Sequence, residues 1–407
     1  MRSRACLAAA CAALLLAAPA GAAQKRVIHV GLAIRELQPY YEGTLKPTFE
    51  AQHPDIDVEF EYTGWAVDKY LAAYAAGNPP DVAQIGNGIG PYLQLISPLD
   101  DDVKGWADLK DFPKPVLDGF TVGGHLWALP WTYGTRVLQY RKDWFAESGL
   151  DPNKPPASWD ELAQMATKTA RYDKDNRLTR QGFATSAHYI DFSTFLFQAG
   201  GRFMSPDLKQ ATYADERGLE AVRYVQSLFK EYRVTDPDRK LKGLHDGGAA
   251  MEYDQPDFAP GASSAFTSDA IGVALPAAAL KTQIILPEGL IISNKSAHPE
   301  AAWAWVHFML SMDQILTKGR ALYSFGGIPP RLSAAQYSPW KDDPRWQVVF
   351  QSLATARTPP QASPDWDSMR SKFLQPALEK IFYEGASPAT LVENMAAANA
   401  WLAERTK

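Results

Sequence analysis

The chain has 407 residues, 46% of them apolar and 21% charged, with a formal net charge of −5. That length accommodates two or three domains with sizeable cores, and the composition belongs to a water-soluble globular protein, neither disordered nor membrane-embedded. Mild acidity excludes the basic footprint that nucleic acid or an anionic lipid surface needs, so the expected partner is small and weakly charged.

Residues 1–23, MRSRACLAAACAALLLAAPAGAA, read as a secretory signal peptide. Arg2 and Arg4 form its positive region, an Ala/Leu-rich run extends from Ala5 to Ala18, and small residues offer cleavage after Ala20 or Ala23. The run is too short for a permanent membrane span, and the expected location is the periplasm. Cys6 and Cys11 both lie inside it, so a mature chain has no thiol for a disulfide, a thiolate metal site or a cysteine nucleophile. Most of the apolar run follows Cys11 instead of preceding it, and a lipid anchor is not expected. Loss of Arg2 and Arg4 takes the formal charge from −5 to −7.

After the leader, KRVIHVGLAI predicts a first strand, followed by a helix carrying Tyr41, Leu45 and Phe49 on one face with Pro47 inside it. In DIDVEFEYTGW, Ile56, Val58, Phe60 and Tyr62 alternate with acids, the pattern of a strand with a solvated outer face. A helix over about 67–76, the breaker GNPP and a short strand DVAQI come next, leading into the glycine-rich loop GNGIG. Strand, helix, strand, helix, strand predicts a parallel sheet with crossover helices in an α/β domain. Ligands gather beyond the carboxyl ends of such strands, which directs attention to the loops 35–40, 63–65 and 86–90. LDDDV at Asp100–Asp102 reads as a solvated helix start, and the Pro- and Gly-bounded LPWTYGT as a turn. Ser158 and Glu161 make a capping box for a helix with Leu162, Met165 and Ala166 on one face. Another helix starts near Pro299 and buries Ala302, Trp305 and Met309; the last has Ser387 as cap and Pro388 at its first position. No internal repeat or flexible linker is apparent.

Catalytic signatures are missing. The seven histidines form no HExxH and no pair three or four residues apart; there is no GxSxG elbow, no Walker loop, and GNGIG lacks the GxGxxG spacing. His298 and His307 read as structural. Neither a metal nor a cofactor is expected. Two carboxylates brought together by the fold would suffice for a glycosidase, and with 46 acids that alternative stays open.

Several segments, in order, resemble the sugar-type extracellular solute-binding proteins of ABC importers, the maltose- and multiple-sugar-binding group. They are PDVAQI, LWALPW, LQYRKDWFAESGLDPNKPPASWDEL, HDGGAAM, GLIISNKSAHPEAAWAWVHFMLS and GGIPP. One departure is EYDQPDF, Glu252 to Phe258, where the family often has a small-residue turn; it keeps a non-sugar solute as an alternative. The resemblance implies a two-lobed α/β fold of the type II periplasmic-binding-protein kind. The first lobe is expected over 24–134 plus 286–334 and the second over 135–285 plus 335–407. It also implies a monomer that closes on a carbohydrate and docks on permease transmembrane subunits, with no bond made or broken.

A sugar has apolar C–H faces for aromatic rings and hydroxyls for hydrogen bonds. Trp131 and Tyr133, at the first crossing between lobes, are expected to form the stacking platform, with Trp127, Tyr140 and Trp144 in the core. Polar partners are expected from Glu36, Gln38, Trp65 and Asn87 in the first lobe and His188, Tyr253 and Asp254 in the second. A later crossing contributes Glu288.

Overall fold

Alternating apolar residues make β1 (Arg26–Leu32) and β2 (Ile56–Tyr62), paired in parallel with Val30 beside Phe60, Ile28, Val30 and Val58 facing inward and Glu59 and Glu61 facing solvent. The structure, a computed structural model, describes residues 25–86, 88–256, 268–322 and 328–405, so the expected leader with its cysteines, Asn87, and Asp257 and Phe258 of EYDQPDF lie outside the described residues.

β3 (Val82–Ile85) is buried along its whole length and runs parallel to β1 on the side away from β2. Parallel pairing demands crossovers, and helical segments over 38–52 and 67–75 supply them. The first widens into a π stretch at Tyr41–Leu45, just ahead of Pro47, which cannot donate to the ladder.

The sheet is mixed, not purely parallel as the sequence pattern suggested. LPWTYGT is a strand, β4 (Leu129–Thr135), with every residue buried, not the expected turn. β8 (Ile285–Ile292) inserts antiparallel between β3 and β4, giving the order β2-β1-β3-β8-β4. Asp100–Asp102 form a turn, where Asp100 accepts from His125 Nδ1 at 3.0 Å and Leu126 N at 3.3 Å.

Past Thr135 the chain enters a second sheet, in which β5 (Val137–Arg141) pairs antiparallel with β6 (Met251–Asp254) and β7 (Ile271–Ala274). Two separate cores result. One joins Ile28, Val58, Val82, Trp131 and Trp305; the other joins Leu138, Phe183, Phe195, Val225, Trp366 and Leu402. A third cluster, with Tyr133, Val137, Ile285, Trp340 and Trp346, takes residues from strands of both sheets. There Ile285 pairs with Thr135, and Ile285 N donates to Arg357 O at 2.9 Å, so three segments distant in the chain run side by side.

The capping box at Ser158 forms: Glu161 N donates to Ser158 Oγ at 3.2 Å, and Glu161 Oε2 accepts from Ala157 N at 2.7 Å. The helix Pro299–Met309 buries Ala302, Trp305 and Met309 as its periodicity requires.

Candidate ligand-binding cleft

The strand pair β4–β8 sets the floor of the site. Its register slips by one residue at Glu288/Gly289: Glu288 faces Thr132 and Gly289 faces Pro130, so Trp131 is the extra residue of a β-bulge. A bulge leaves a carbonyl off the ladder, and Lys318 donates its ammonium to Trp131 O while lying 4.2 Å from the centre of the indole. Gly289 is required where it sits, because a Cβ would come within 2.8 Å of Phe120 Cζ.

Trp131 is fully covered, at 0% exposure. What covers it is Trp65, stacked at 6.3 Å with 20° between the rings and itself 43% exposed. Trp65 also rests on Gly86, whose missing side chain leaves room for the indole: a Cβ would lie 3.3 Å from its ring. Trp65 also lines a cavity of about 330 Å³.

That cavity has walls from both lobes. Trp65, Gly86, Gly88, Tyr92 and Glu288 come from the first, and Tyr189, Asp367 and Arg370 from the second. Tyr189 opens the helix Tyr189–Gln198. Arg370 begins a π stretch, Arg370–Leu374, ahead of Pro376; its guanidinium lies 4.3 Å from the Tyr189 ring centre and pairs with Asp367 at 3.1 Å. The cavity therefore offers an indole, a phenol, a guanidinium, and carboxylates that accept hydrogen bonds.

Burial pushes the Glu288 carboxyl up to about 7, partly offset by the positive charge of Lys318, and burial pulls the Lys318 ammonium down to about 7, partly offset by Glu288. The two are within electrostatic reach, yet they form no direct ion pair within 4 Å among the described residues.

Of the residues singled out from the sequence, Trp65 and Glu288 line the cavity and Trp131 backs it. Tyr133 does not form the expected platform: it is 1% exposed and packs in the third cluster with Val137 and Trp340. Tyr253 is likewise core, its hydroxyl accepting from Ala277 N at 2.8 Å and its ring against Phe183 and Phe195. Glu36 and Gln38 are exposed on the turn after β1 and do not line the cavity. His188 caps the helix that carries Tyr189, its Nδ1 accepting from Ile190 N, and its ring lies 4.8 Å from Tyr189; burial and the charges of Arg370 and Arg136 lower its pKa. Asp254 ends β6 near the buried acids Glu252 and Asp191 and away from the cavity wall. Trp144 is not core: it is half-buried between the guanidinia of Arg141 and Arg180, at 4.1 and 4.2 Å. Sequence reasoning missed Tyr189, Asp367 and Arg370. The second and third stand in DWDSMR, a segment without a binding motif.

Two α/β lobes, with a cavity walled by both, define a protein built to enclose a small solute. The chain matches the family of bacterial extracellular solute-binding proteins over residues 34–315 and belongs to it. It is 25% identical over 383 residues, 88% of each chain, to a putative binding protein of Brucella abortus. It is 32% identical over 136 residues, 31% of each chain, to the sn-glycerol-3-phosphate-binding periplasmic protein UgpB of Escherichia coli. Its fold matches that of the sugar-binding protein MalE from Xanthomonas citri with a TM-score of 0.80 at 21% identity, over 93% of this chain and 98% of that one. Among the described residues no helix is long and apolar enough to cross a membrane.

Proposed function

We propose that this chain is the periplasmic, monomeric solute-binding component of an ABC importer, which closes around a carbohydrate and passes it unaltered to the permease. The observation that carries the reading is the exposed indole of Trp65 in a cavity walled by both lobes, lined also by Glu288, Tyr189, Arg370 and Asp367. An aromatic face suits the C–H surface of a pyranose, and carboxylates with a guanidinium suit its hydroxyls. Contacts from both lobes favour the closed form, because only they are gained on closure. MalE, which shares the fold, is a sugar-binding protein.

We divide the chain at 134/135 and 285/286, as the sequence suggests, and move the third boundary from the expected 334/335 to residues 356–366, because Trp340, Trp346 and Val349 pack with Val116 and Tyr133 ahead of it.

The local likeness to UgpB raises a phosphorylated polyol as the second reading. The cavity's charges favour a neutral ligand: Arg370 is already paired with Asp367, and a phosphate would also face Glu288. Calorimetry against mono- and oligosaccharides and sn-glycerol 3-phosphate tests the choice. A saccharide is expected to bind one to one near micromolar Kd, about −8 kcal/mol, and to be recovered intact. Binding of the phosphate ester with no response to any saccharide would remove the carbohydrate assignment, and cleavage products would make the protein a hydrolase.

A further inference from the structure

A second cavity, of about 450 Å³, opens where the segment 356–362 passes between the lobes, and it shares no lining residue with the cleft. Its apolar walls are Phe197 and Phe203 from the second lobe and Pro359 and Pro360 from the segment 356–362, beside the polar Thr121, Ser205 and Thr358. Into this setting the fold brings two guanidinium groups, Arg202 and Arg357. Neither has a carboxylate within ion-pair distance among the described residues; Arg357 Nη1 donates only to Gly201 O, at 3.3 Å. Asp118, the acid on the same wall, is held by Lys114 at 2.6 and 2.7 Å. The two arginines sense each other, since the charge of Arg202 adds to burial in weakening the hold of Arg357 on its proton.

Like charges are ordinarily kept apart unless something between them offsets the repulsion. An oxyanion does so, because it accepts from two guanidinia at once.

We propose that this cavity is a second binding site, for a small organic anion whose oxyanion head sits between Arg202 and Arg357 and whose apolar body lies on Phe197, Phe203 and the Pro359–Pro360 wall. Nothing in this site depends on the identity of the ligand in the cleft.

Benzoate is the probe, with benzamide as its neutral counterpart, titrated into the whole chain at low ionic strength and followed by calorimetry. Benzoate is expected to bind in the millimolar range and benzamide not to bind. Arg202→Gln and Arg357→Gln are each expected to weaken benzoate about tenfold, the loss of one charge-assisted contact, while Trp65→Ala in the cleft leaves it unchanged. Arg202 is exposed, so its variant keeps the test decisive even if Arg357→Gln fails to fold. Absence of benzoate binding up to roughly 10 mM, equal binding of benzamide, unchanged binding in Arg202→Gln, or weakened binding in Trp65→Ala would each overturn the proposal.

Discussion

Two tryptophans in face-to-face contact divide their work by depth. Trp131 is buried in the core beside Trp65, whereas Trp65 is 43% exposed and lines the cavity. Substituting each separates the roles. Trp65→Ala is expected to weaken saccharide binding by about 2 kcal/mol, roughly thirtyfold, with little change in Tm. Trp131→Ala removes a buried indole and is expected to cost about 3–5 kcal/mol of stability, read by chemical denaturation. The buried Glu288 and Lys318 yield a pH signature. With its carboxyl raised from 4.5 to about 7, folded Glu288 holds a proton the unfolded chain has lost, so its contribution is full below 4.5 and is lost as pH rises through about 7. With its ammonium lowered from 10.5 to about 7, Lys318 contributes fully above 10.5, and that contribution is lost as pH falls through about 7. Stability from the pair is therefore lowest near neutrality. Glu288→Gln is expected to remove the decline between about pH 5 and 7, worth about 2 kcal/mol, as seen in denaturation midpoints across that range.

At the level of elements, a single inserted residue organises the site. The bulge at Trp131 turns the indole toward Trp65 and frees the carbonyl that Lys318 occupies, and Gly289 opposite it leaves space for Phe120. Gly289→Ala is expected to force that ring aside and to cost about 1–3 kcal/mol by urea unfolding. The capping box is more peripheral, and Ser158→Ala is expected to cost about 1 kcal/mol without altering ligand affinity. Both caps and periods were open to reading from the sequence: Ser158, the Pro299 helix and strands β1 to β3 follow from local chemistry. β4 was not, because Pro130 and Gly134 are turn formers by local preference, and only burial between β8 and the bridge to Ile328 makes the segment a strand. The same tertiary contact decides which aromatic reaches the cleft. Spacing alone could not show that Trp131 and Tyr133, two residues apart, pack into different cores.

For the whole molecule, function rests on bringing distant segments together: Trp65, Glu288 and Arg370 meet across one cavity although they are far apart in the chain. The loops beyond the parallel strands carried a topological signal, which is why Trp65 was identifiable beforehand. Tyr189 and Arg370 carried none, since neither stands in a loop beyond a strand or in a recognisable motif: Tyr189 opens a mostly buried helix and Arg370 a π stretch. The central proposal is that a saccharide is held between the lobes by groups from both. A crystal structure of the chain with the saccharide found by calorimetry tests it most directly. The expected result is a sugar ring on the outer face of Trp65, hydrogen-bonded to Glu288 on one side and to Arg370 or Asp367 on the other. A sugar bound elsewhere, or touching one lobe alone, would contradict it.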